Sequence, residues 1–117
     1  MTGRWHGFVI DTPDPRGLAT FYQELLGFDR VQDTDHWVVI GDSADRPGLA
    51  FQLAPDLEPP DWPDAGPPQQ MHIDIAVDDI EQAEEQVLSL GAMRLPGGRA
   101  TFRVYSDPSG HPFCLCF

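Results

Sequence analysis

Residues 9–28 read VIDTPDPRGLATFYQELLGF, and residues 71–92 read MHIDIAVDDIEQAEEQVLSLGA. Each stretch begins as a short strand, crosses acidic residues and becomes an amphipathic helix that stops at a glycine. In the first, Asp14 suits an N-cap, Pro15 the first helical position and Gly27 the position past the end. Leu18, Phe21, Tyr22, Leu25 and Leu26 then form one apolar stripe at helical spacing. In the second, the Asp78-to-Glu81 spacing predicts a capping box, with a stripe of Ile80, Ala83, Val87 and Leu90 and a stop at Gly91. Asp14 to Gly27 and Asp78 to Gly91 are the same 13 residues apart.

Three strand-like segments follow each helix. DRVQD, HWVVIGD and GLAFQLA come after the first; AMRLP, ATFRVYSD and HPFCLCF come after the second. The chain therefore reads as a duplicated β-α-β-β-β unit, an α+β fold with a single domain over 1–117. Unit one spans 1–53 and unit two 71–117. Between them, residues 54–70 (APDLEPPDWPDAGPPQQ) hold six prolines and no basic residue. Proline removes ladder donors and fixes φ, so this segment reads as an extended linker.

Composition narrows the function. Nineteen acidic residues against seven basic ones give a net charge of −12. Nucleic acids and anionic membranes are bound by clustered Lys and Arg, so both are disfavoured as partners. No apolar run approaches the ~20 residues of a membrane span, and MTGRWHGFVID lacks the basic-then-apolar order of a signal peptide. Only two cysteines are present, at 114 and 116. On one strand such residues lie ~6.5–7 Å apart with parallel Cβ vectors, a poor geometry for a disulfide and an awkward one for zinc. A reducing cytoplasmic location fits this usage.

With VYSDPSGHPFCLCF at 104–117, the two opening stretches resemble the vicinal oxygen chelate superfamily of glyoxalase I, extradiol dioxygenases and bleomycin-resistance proteins, nearest to its small glyoxalase-like domains. The resemblance covers essentially the whole chain. It implies that each unit curls into a half-open barrel and that the pair encloses a cup. It also implies a divalent metal held by four side chains, which fall here on Gly7, Gln52, His72 and Cys114. Glycine offers no donor, glutamine no charge, and cysteine prefers softer ions than Mg, Mn or Ni. No metal cofactor is therefore expected, the alternative being one divalent ion that uses His72.

Strand alternation places His72 with Asp74, and Gln52 with Ala50, on the faces away from the helices, with Asp11 beside them. His6 shares the opposite face with Phe8 and Ile10. Cys114 and Cys116 face the cup, while Phe113, Leu115 and Phe117 face the helices. His72, Asp74, Gln52, Asp11, Cys114 and Tyr105 are the candidate ligand-binding residues. Arg103, Trp37 and His36 are further candidates whose face is left open. Catalytic residues are not assigned, although Cys114 with His72 as a base is one option. The favoured reading is a metal-free binder of a small organic molecule, as in antibiotic or metabolite sequestration. The alternative is a metal-dependent lyase, isomerase or dioxygenase. The acidity favours a cationic ligand, and open sheet edges favour a homodimer.

Overall fold

Asp14 accepts a hydrogen bond from the Gly17 backbone N–H, Pro15 follows it, and Gly27 closes the helix in the left-handed conformation. These local signals make α1 (Pro15–Leu26) in the computed structural model, which describes residues 4–60 and 66–117. Around it lie β1 (Gly7–Thr12), β2 (Asp29–Asp33), β3 (Trp37–Gly41) and β4 (Gly48–Leu53). After them come β5 (Ile73–Ala76), α2 (Ile80–Ser89), β6 (Met93–Arg94), β7 (Phe102–Ser106) and β8 (Pro112–Cys116). The chain divides into two compact units, Met1–Leu57 and Glu58–Phe117.

The two units share one topology. Their sheets run β1-β4-β3-β2 and β5-β8-β7-β6. The first strand pairs parallel with the last, and the other pairs are antiparallel. Neither sheet closes on itself.

In unit one, α1 packs on β3 and β4. Leu18, Ala19, Phe21 and Tyr22 from the helix and Val38, Ile40 and Phe51 from the strands are all buried. The rings of Tyr22 and Phe51 stack at 5.8 Å. Thr12, also fully buried, accepts from the Asp14 N–H and so ties the end of β1 to the helix start.

In unit two, α2 lays Ala83 and Val87 over β8, where Phe113 and Leu115 are fully buried. A polar cluster completes this face. Glu84 of α2 accepts from the Tyr105 hydroxyl and from Arg94 and Arg103. The Tyr105 bond first, then the two arginines, hold the Glu84 carboxyl below its ordinary 4.5 despite burial. That stabilisation is present above pH 4.5 and is lost as pH falls through the lowered value.

Tyr105 shifts the other way. Burial first, then its bond to the Glu84 carboxylate, push its pKa from 10 up to about 12. The unfolded phenol ionises first, so stability falls as pH rises from 10 to 12, by about 2 to 3 kcal/mol from this group. The chain has no lysine to titrate in that window. Urea titrations at pH 9 and 11.5 are expected to show this loss, and Tyr105→Phe should remove its share, leaving the part that the raised Cys114 thiol contributes in the same window.

Several local expectations shift. The second helix is capped by Asp79, which accepts from the Gln82 N–H, and not by Asp78. Two aspartates in a row give two possible starts, and the one that lets Ala83 and Val87 face the sheet prevails. AMRLP shortens to a two-residue strand. Phe117 is 46% exposed beyond β8, with the Arg103 guanidinium over its ring, and does not pack under the helix. His6 is exposed ahead of β1. The described parts of the proline-rich stretch carry neither helix nor strand; its residues 61–65 lie outside the described residues, as do residues 1–3 of the N-terminal segment. Among the described residues no helix is long and apolar enough to cross a membrane.

Candidate functional site

Each sheet has a face turned away from its own helix. In unit one, strand register aligns Asp11 of β1, Gln52 of β4 and Trp37 of β3 in one row. Val38, Ile40 and Phe51 occupy the opposite face. Asp11 and Gln52 thus share a face as alternation predicts, and Trp37, left open by the sequence, joins them.

In unit two, the corresponding row runs Asp74 of β5, Cys114 of β8 and Val104 of β7. His72 lies just ahead of β5, and its Nε2 is 3.2 Å from Asp74 Oδ1. Ligand atoms of His72, Asp74 and Cys114 all fall within 4.8 Å of one another. Cys116 is not in this set; Asp74 is, so the cluster is His-Asp-Cys and not one built on the cysteine pair. Both cysteines are free.

Tyr105 takes the other side. It pairs in register with Phe113, stacks on that ring at 5.5 Å, is fully buried, and donates to Glu84. Arg103 also turns to α2, where it meets Glu81 and Glu84. Both residues hold helix to sheet. Residues two apart on one strand must share a face, so Tyr105 and Arg103 move together.

Cys114 is 7% exposed. Burial first, then the charges of Asp74 and Cys116, push its thiol up to about 11. At neutral pH it is the protonated thiol, the wrong form for nucleophilic attack. The Cys114–His72 option is therefore weak as chemistry, although the two residues do converge.

Beside this row, unit two contains a cavity of about 350 Å³, at the lower end of the range for small-molecule sites. Cys114, Val104, Phe102 and Pro112 give it an apolar wall. His72 and Gln69 add polar groups, and Gly97, Gly98 and Arg99 form one side. Gln69, Arg99 and Phe102 were not singled out by the sequence. The first two lie in loops without periodicity; the one available signal was an arginine directly after a glycine pair.

An α+β chain of two tandem β-α-β-β-β units, each with its first and last strands parallel, defines the glyoxalase/bleomycin resistance class of fold. Solved structures of that class align over nearly the full length. A glyoxalase/bleomycin resistance protein/dioxygenase family enzyme from Burkholderia phytofirmans PsJN is 17% identical, with a TM-score of 0.69 over 93% of this chain and 94% of its own. The fosfomycin resistance protein FosX from Listeria monocytogenes, complexed with Mn(II) and sulfate, is 14% identical, with a TM-score of 0.72 over 99% and 90%. A bleomycin resistance determinant encoded on the transposon Tn5 is 22% identical, with a TM-score of 0.59 over 97% of both chains. At these identities the likeness is one of fold. No curated protein matches the chain. The chain belongs to the glyoxalase-like domain family, whose model matches residues 7–116.

The divalent ion that this fold family implies does not fit the residues present. Gly7 offers no donor, and a Cβ built there would stand 2.9 Å from the Gly48 carbonyl oxygen. Gly7 pairs with Gly48, whereas Gln52 pairs with Asp11. The two unit-one positions are thus offset by four residues, about 13 Å of strand. In unit two, Cys114 is a buried protonated thiol where a hard ion needs a carboxylate.

Proposed function

We propose that the chain binds a small organic molecule in the cavity of unit two, beside His72, without the hard divalent ion of its fold class. The supporting observation is that cavity, whose apolar wall meets a few polar groups as ligand sites do. His72 orients the ligand and Cys114 contributes apolar wall. Asp74 holds the imidazole in place, and Asp11 and Gln52 form the equivalent polar row on unit one. The fold neighbours named for fosfomycin and bleomycin resistance support sequestration of an antibiotic or metabolite as the biological setting. We infer a cytoplasmic homodimer: two free cysteines suit a reducing compartment, and among the described residues β1 and β5 pair on one side only, leaving edges for a second copy. Light scattering on a sizing column checks the dimer, with a monomer mass rejecting it.

Thermal-shift screening against aromatic and antibiotic-like compounds tests the binding reading. A ligand at 100 times its Kd stabilises by about 2.7 kcal/mol, and His72→Ala should abolish the shift. A screen without a single shift rejects the reading.

A second reading has one observation in its favour, the convergence of His72, Asp74 and Cys114. Imidazole, carboxylate and thiol suit zinc better than manganese or magnesium. That set would support a metal-dependent lyase, isomerase or dioxygenase. Metal analysis of untagged protein discriminates: stoichiometric zinc that disappears in Cys114→Ser selects the second reading, and no bound metal keeps the first.

A further inference from the structure

The charge of the whole chain points toward a cationic ligand, but the cavity points the other way. At ionic strengths near 0.15 M, charges more than about 8 Å away are largely screened. Groups at the cavity outweigh a net charge spread over the surface. The chain has seven arginines against 19 acids, and those near the cavity differ in their partners. In unit two, Arg94 pairs with Glu84, and Arg103 with Glu81 and Glu84. Arg99 makes no ion pair among the described residues, and it lines the cavity.

Its backbone is held there by the loop. Gly97 and Gly98 both have positive φ, 98° and 93°. A Cβ on Gly98 would stand 2.9 Å from the Phe102 carbonyl oxygen, so the chain passes where a side chain would collide. The Arg99 N–H donates to that same carbonyl at 2.9 Å, and the Phe102 N–H donates back to the Arg99 carbonyl. The turn therefore holds Arg99 and Phe102 side by side in the cavity lining.

A second polar feature belongs to the same lining. Among the described residues, buried Gln69 Oε1 has no hydrogen-bond partner, and Gln69 lines the same cavity. A buried acceptor left unmet is costly, and a ligand O–H or N–H meets that need. Asp74 does not line the cavity; it is engaged with His72 and the Cys114 thiol.

We infer that the cavity selects a small carboxylate-bearing molecule with a flat apolar body and a hydrogen-bond donor at its far end. The carboxylate lies against Arg99, the body against Phe102, and the donor on Gln69 Oε1. The inference rests on the reading of unit two as a small-molecule site and specifies the ligand's chemistry.

A matched set of probes tests it: 4-hydroxybenzoate, 4-hydroxybenzamide and 4-hydroxybenzylamine, with benzoate as the compound lacking the donor. Binding is read by NMR titration of the labelled full chain at 0.15 M salt. The acid should bind at least about ten-fold more tightly than the amide, the discrimination of one charge-assisted hydrogen bond. Arg99→Gln should erase that preference by weakening the acid more than the amide. Gln69→Leu should weaken 4-hydroxybenzoate more than it weakens benzoate. Equal or tighter binding of the amide or amine overturns the inference, as does an acid preference that survives Arg99→Gln; the binding reading then still stands. If no probe of any charge binds, this inference and that reading fall together.

Discussion

Cys114→Glu is expected to destabilise the protein by about 3 to 5 kcal/mol at pH 7, the range for a buried charge without a partner. The family resemblance implies an acid at that position, so by resemblance the substitution looks conservative. The local physics opposes it. Position 114 is 7% exposed, and its rung on the sheet faces Asp74. Two carboxylates would sit there with one imidazole, that of His72, beside them. The new carboxyl's pKa should rise above its unfolded value. The deficit then grows as pH rises through the ordinary carboxylate range and shrinks on acidification toward pH 4. Urea midpoints at pH 7 and pH 5 measure this. A variant with the wild-type midpoint at pH 7, or one gaining tight Mn2+ binding, would show that the position still accepts a ligand acid.

Phe51→Ala should cost a similar amount, about 3 to 5 kcal/mol, the range for removing a buried aromatic ring. Phe51 is fully buried and stacked at 5.8 Å on Tyr22, so its ring joins β4 to α1. Domains of this size have about 5–15 kcal/mol in total, so the loss takes a large share. Hydrogen exchange should show protection collapsing in β1, β3, β4 and α1. Phe51→Leu, which refills part of the volume, should recover more than half of the loss. Retained protection in the alanine variant would show that the Tyr22–Phe51 stack is not what holds the helix to the sheet.

The site was partly legible. Alternation in HIDIA and PFCLC put His72, Asp74 and Cys114 on one face, because strand geometry leaves a residue only two choices. Tyr105 was misplaced although the same rule governs it. ATFRVYS alternates weakly, with Arg103 and Tyr105 facing α2 through Glu84, a partner 21 residues earlier. Polar residues on a helix-facing side break the pattern that the rule relies on. The cavity's other contributors, Gln69 and Arg99, lie in loops, where no period exists to read.

The family positions show the same limit. Position matching placed Gly7 and Gln52 together as ligand equivalents, and their types alone, one without a donor and one without a charge, spoke against a hard divalent ion. Only the ladder showed that they stand four residues apart in register.

What the amino-acid order determined by itself was local. Caps, apolar stripes and turns arise from interactions within a few residues, and so they defined two helices, most of the strands and their repetition. Tertiary structure decided which aspartate caps α2, which face Tyr105 takes, that Asp74 and not Cys116 completes the His72–Cys114 cluster, and that Arg99, with no ion pair among the described residues, lines a cavity. Each of these depends on pairing between strands or helices distant in sequence, and the energy of such pairing is settled only when both partners are in place.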